Sequence, residues 1–194
     1  MPAGIKYSLD PLAVEKELCN LATVYRLAGG FNLVDDKLVA GTHLPHLAPL
    51  AVDFTTRKAK AVKNVKVYEN AASNATAIKV EKNSLAYVGM FIGTGTKGAQ
   101  VDAIDKTNAS YDTLTIAAAL TEAVTAGQVL FESTLVGGTI VKNVANALNY
   151  ARVKVEDGAT VTAIGQAYEI KEKSLDLPVC DKDKTSLGAR FMFV

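Results

Sequence analysis

The chain has 194 residues and a mass of 20.5 kDa, which is one large domain or one domain with extended arms. Lys and Arg number 21 against 20 Asp and Glu, a formal charge of +1, so there is no bulk electrostatic pull toward nucleic acid or an anionic membrane. A hydrophobic fraction of 49% excludes global disorder, and with aromatics at 7%, no Trp and only two His and two Cys the usual equipment of an enzyme is scarce.

No stretch approaches the roughly 20 apolar residues that span a bilayer. Acidic residues stand where a signal h-region would be, so the expectation is a protein without signal or transit peptide, folded in a cytoplasm. Cys19 and Cys180 lack CxxC or zinc-ligand spacing; they are one disulfide or, more simply, two free buried thiols.

Residues 1–10 read as a loose arm. Asp10-Pro11 reads as a helix start, an acceptor for free N–H groups followed by a residue that needs none. Val14, Leu18, Leu21, Tyr25 and Ala28 follow at spacings of three and four, and Gly29-Gly30 supplies a stop, which predicts a helix over 11–28. Gly41, Pro45 and Pro49 punctuate residues 31–60. This predicts an extended connector with short strands, such as 47–54, lying along a partner surface.

From residue 61 the apolar period becomes two: Val65 and Val67, Ile78 and Val80, Tyr87-Val88 and Phe91-Ile92, Val101 and Ala103, Leu114 and Ile116, then Val129-Leu130-Phe131. Short strands broken by Asn, Gly, Ser and Thr predict a mainly β fold, a small antiparallel sandwich or barrel with an N-terminal helix and extended arms. The run 117–127 is a helical turn or a loop, and 141–151 is helix or strand. Asp157-Gly158 signals a hairpin between RVKVE and ATVTAIGQAYEI, KEKSLDLP reads as a charged turn, and the apolar end ARFMFV reads as a strand tied into a sheet or an interface. The expected organisation is 1–60 as arm, helix and partner-contacting connector, 61–136 as a β domain, and 137–194 as a C-terminal hairpin and strand.

Motifs that carry chemistry are weak. Gly93-Thr94-Gly95-Thr96-Lys97-Gly98 matches GxGxxG after a strand, but AQVDAIDKT has no helical stripe to present N–H groups to a pyrophosphate, so a flexible hairpin loop is expected. His43 and His46 flank Pro45 with only Asp53 near, too few groups for a metal site. Asp102, Asp105 and Asp112 lack calcium-loop spacing. Glu132 and Ser133 end a strand with no nearby histidine and no G-x-S-x-G. No catalytic, cofactor or metal residue is therefore assigned. Arg57, Lys58, Lys60, Lys63 and Lys66 form the strongest basic cluster, either a solvated edge or a contact to an acidic partner; without interleaved aromatics it does not read as a nucleic-acid site. Tyr68, Tyr87 and Tyr111 lie in or near β loops, where rings stack on sugars or simply pack at strand ends.

The stretches LAPLAVDFTTRKAKAVKNVKVYENA (47–71), TAIKVEKNSLAYVGMFIGTG (76–95), VDAIDKTNASYDTLTIAAAL (101–120) and AGQVLFES (126–133), with an echo in 159–179, resemble phage virion proteins of the head fiber or capsid decoration kind, as found in phages of gut Bacteroides-type hosts. Phe131 stands where that pattern has Tyr. The resemblance implies a non-enzymatic structural protein on the capsid surface, a dimer or trimer with itself, in contact with the major capsid protein or another capsid component. The alternative is a carbohydrate-binding adhesion module contacting a host surface glycan. Neither reading involves a cofactor, nucleic acid or a membrane.

Overall fold

A computed structural model describes residues 17–34 and 37–194. In chain order the strands are β1 (Asn20–Arg26), β2 (Phe31–Leu33), β3 (His43–Leu44), β4 (Pro49–Asp53), β5 (Lys58–Ala61), β6 (Asn64–Lys66), β7 (Ala77–Glu81), β8 (Phe91–Gly93), β9 (Gly98–Asp105), β10 (Tyr111–Ile116), β11 (Val129–Ser133), β12 (Ala147–Asn149), β13 (Val153–Lys154), β14 (Thr160–Val161), β15 (Ala163–Ile170) and β16 (Phe191–Phe193). Among the described residues one α-helix, α1 (Asp181–Leu187), and two short 3-10 turns complete the fold. The protein is mainly β.

The central part of the chain makes a six-stranded sheet in the order β6-β11-β8-β9-β10-β7. Its strands follow the period of two. In β10 Asp112, Leu114 and Ile116 face inward, and in β7 Ile78 and Val80 do so, while Lys79 and Thr113 oppose each other on the outer face. One core, including Val65, Val67, Met90, Ile92, Val101 and Leu130, draws only on this stretch.

Both ends of the chain share an eight-stranded sheet in the order β1-β15-β12-β4-β5-β2-β14, with β16 also pairing β15. The segment expected as a connector lies here. β4 and β5 pair antiparallel, Ala59 and Ala61 are fully buried, and Lys58 and Lys60 point out. Pro49 is tolerated as the first residue of its strand, where its carbonyl still accepts from Val62 N–H at 2.9 Å. The C-terminal strand is tied in as expected, β16 running parallel to β15 with Val194 N–H to Ile170 O at 2.8 Å.

The helix over 11–28 is corrected. Residues 11–16 lie outside the described residues, and from Asn20 the chain is β1, antiparallel to β15. The run Thr23-Val24-Tyr25 is β-branched and aromatic, which favours extended backbone and outweighs the 3.6 stripe. Thr23 Oγ accepts from Tyr168 N–H at 2.9 Å, a tie that needs a strand neighbour. Leu21 and Tyr25, expected on a buried stripe, are exposed. Gly29-Gly30 stops this strand at a turn with positive φ at both residues.

The hairpin at Asp157-Gly158 is corrected in part. The turn forms, with Ala159 N–H to Glu156 O at 3.1 Å and Gly158 at φ 72°. Its flanking strands then part: β13 pairs β3 and β14 pairs β2. The run 117–127 is loop, and 141–151 holds only the short β12. Both cysteines are free and buried.

Candidate functional site

The GxGxxG segment is a β8–β9 hairpin closed by Thr94 N–H to Lys97 O at 2.8 Å, and a strand follows it instead of a helix. Its glycines serve close packing of backbone on backbone. A Cβ on Gly93 would lie 2.4 Å from the Gly138 carbonyl oxygen, one on Gly98 would lie 2.5 Å from Gly138 Cα, and one on Gly138 would lie 2.1 Å from Lys97 O. The hairpin is pinned instead of flexible: the Thr94 and Thr96 hydroxyls each donate to Glu122 at 2.6 Å, which holds that carboxyl below its ordinary pKa.

The loop locked onto these glycines, residues 134–144, carries Leu135, Val136, Ile140 and Val144, which are 61, 57, 56 and 39% exposed. It is not loose. Thr134 N–H donates to Ile140 O at 3.0 Å, Gly138 N–H to Leu135 O at 3.1 Å, and Gly95 N–H to Gly138 O at 3.1 Å. The buried Ser133 hydroxyl sits 2.8 Å from Leu135 O and 2.9 Å from Ile140 O. Lys182 Nζ donates to Thr139 O at 2.8 Å. The loop contains no acidic residue. Four large apolar side chains thus stand in water on a loop whose backbone is held by hydrogen bonds.

Beneath it lies a polar centre. Glu132 is 3% exposed, and its Oε1 accepts from Tyr87 Oη at 2.5 Å and Lys142 Nζ at 2.8 Å. The hydrogen bond to Glu132 raises the pKa of Lys142; burial, and then Glu132, raises that of Tyr87. Lys63 is buried with its ammonium 5.8 Å from the Tyr87 ring centroid. Lys142 N–H also donates to Glu132 O at 2.9 Å, so the pair fastens the far end of the loop to β11.

A second buried centre joins α1 to the six-stranded sheet. Asp183, 0% exposed, accepts from Ala145 N–H and from Asn64 Nδ2, both at 2.8 Å, and from the Cys180 N–H (3.3 Å) and thiol (3.1 Å). Burial, then the Asp183 charge, pushes the Cys180 thiol up to about 12. Neither Asp183 nor Lys142 was signalled by a motif, although Asp181, Asp183 and Gly188 form the acidic start and glycine end of a short helix.

The remaining candidates are dispersed. His43 is exposed on β3, and His46 Nδ1 meets the Tyr150 carbonyl. Among the described residues no group of three or more His, Cys, Asp and Glu is placed to hold a metal, and no helix is long and apolar enough to cross a membrane. Asp112 faces inward to Lys82 at 2.6 Å, Asp105 accepts from Thr107 N–H, and Asp102 is exposed. Asp53 accepts from Thr55 and Thr56 in its own turn. The basic run does not form one patch: Arg57 stacks on Phe31 at 4.1 Å, Lys63 is buried, and Lys66 pairs with Glu81 at 2.8 Å. Tyr68 and Tyr111 meet at 5.3 Å between ring centroids, whereas Tyr87 belongs to the Glu132 centre.

A family model described as head fiber protein matches residues 3–193. No curated protein and no solved structure matches the chain.

Proposed function

We propose, from the premise that this chain belongs to the phage head fiber protein family, that it is a non-catalytic component of the virion exterior, attached to the capsid as a homo-oligomer. The family supports a structural virion protein. The observation that carries the finer reading is the 134–144 loop, with four exposed large apolar side chains on a backbone already fixed by hydrogen bonds. The four side chains are already about half covered, so burying the rest is worth about 0.8–1.5 kcal/mol each before ordering costs, and a braced loop loses little further entropy on docking. A dimer or trimer with a contact above about 1,000 Å² is expected. Light scattering at micromolar concentration tests the oligomer: two or three copies support it, and a monodisperse monomer contradicts it. Leu135→Asp with Ile140→Asp tests the surface. The double variant is expected to fold but to drop out of assembled particles, and undiminished incorporation would refute the assignment.

A further inference from the structure

The outer face of the six-stranded sheet holds an unassigned aromatic platform. Val67 bridges Val80 and faces the core, so Tyr68 faces outward beside Lys79, with Tyr68 N–H to Lys79 O at 2.8 Å. On β10 Tyr111 opposes Glu81 and Thr113 opposes Lys79, with Asp105 of β9 beyond Thr113. Tyr68 and Tyr111 are therefore diagonal neighbours on one face. Their rings lie 5.3 Å apart at 38°, and Tyr68 is 43% exposed. Lys79 sits 4.8 Å from the Tyr111 centroid and pairs with Glu69 at 2.5 Å, while Lys66 pairs with Glu81 at 2.8 Å.

The geometry points to this face as a binding site for a neutral pyranose glycan. The exposed Tyr68 ring, backed by the half-buried Tyr111 that Lys79 partly covers, offers an apolar surface to the C–H face of a sugar. The paired ammonium and carboxylate groups around them offer donors and acceptors to its hydroxyls, the sparse polar set on an apolar floor that orients small ligands. Charge selects against the competing stackers. The ammonium groups of Lys66 and Lys79 are each paired with a carboxylate, and Lys82 lies close to Asp105, so the face carries no excess of positive charge to draw a nucleic acid or a sulfated polysaccharide. The platform is rigid because both tyrosines stand on or beside paired strands. The site goes beyond the virion role proposed above, since a fiber protein that bound no sugar would remain one.

The test is a printed array of neutral oligosaccharides, bacterial-polysaccharide fragments and mucin-type glycans in separate sets, with heparin and a single-stranded oligonucleotide as anionic controls. The full chain is applied beside Tyr68→Ala and Tyr68→Phe. Binding to neutral glycans of either set is expected. The set that responds identifies the source. Loss of a stacking ring predicts about tenfold weaker binding for Tyr68→Ala and near-unchanged binding for Tyr68→Phe, each with an unaltered circular dichroism spectrum. No binding to any neutral glycan, binding to the anionic controls alone, or equal binding by Tyr68→Ala would each overturn the assignment. If Tyr68→Ala loses its fold, loss of binding in Tyr68→Phe, or array binding that free oligosaccharide does not compete, would overturn it instead.

Discussion

The two sheets solve the same problem in opposite ways. The six-stranded sheet is local: its strands come from residues 64–133 and share one core, which includes Val65, Ile78, Val101 and Leu130. The eight-stranded sheet is assembled from both ends of the chain, pairing β1 with β15 and β4 with β12 across more than ninety positions in each case. Many of its strands are only two or three residues long. The local sheet gets its register from side-chain alternation. The composite one gets it from side-chain polar ties, among them the half-buried Asn146, whose Oδ1 accepts from Val52 N–H at 2.8 Å and whose Nδ2 donates to Val52 O at 2.9 Å. Asp183 sits where the regions meet, bonding Asn64 of β6 on one side and Ala145, just before β12, on the other.

That contrast can be broken by removing the tie at the seam. Asp183→Ala strands the donors of Ala145, Asn64 and Cys180 and is expected to cost about 4 kcal/mol in urea unfolding; a loss within 1 kcal/mol, roughly the worth of one neutral hydrogen bond, would remove the seam from the account. Next come paired core truncations. Leu114→Ala in the local sheet and Leu148→Ala in the composite one are both fully buried and are each expected to cost about 3 kcal/mol. Because the seam couples the sheets, each should shift one shared transition; two separate melts, each sensitive to only one variant, would show independent units.

The reading of the sequence follows the same division. The strands expected around Val65, Ile78, Phe91, Val101, Leu114 and Val129 exist, because each buries one face and alternation survives in strands such as AIKVE and YDTLTI, whereas Tyr87-Val88 is taken into a turn at Gly89 and leaves Val88 exposed. In the composite sheet alternation had no room. Thr23-Val24-Tyr25 lay inside a stripe with helical spacing, and β13 and β14 leave their turn for different partners. At the candidate site the GxGxxG hairpin and the end of β11 were visible, but their purpose was not, since Gly138 lies forty positions beyond Gly98 in sequence and touches it only in space. The apolar, acid-free run LVGGTIV was present in the sequence and is the signal that would have found the loop.

Smaller effects sharpen the picture. Gly138→Ala places a Cβ against Lys97 O at φ 68° and should cost about 2 kcal/mol while opening the loop to protease; an unchanged cleavage rate would show that the loop is not held there. The Cys180 thiol has its folded pKa raised to about 12 from an ordinary value of 9.0. Its contribution to stability is therefore present below pH 9, and is lost as pH rises toward 12. At pH 8 it should react with a thiol reagent only on unfolding, and prompt reaction of the native protein would contradict its burial. Smallest of all, Lys154→Ala removes an exposed partner of Glu156 and should leave Tm unchanged.

A cryo-electron microscopy map of the intact particle tests the central claim most directly. The account predicts repeated copies of this chain on the outside of the capsid, with Leu135, Val136 and Ile140 covered by a neighbouring protein. A particle that lacks the chain, or one in which every copy holds that loop in open solvent, would contradict it.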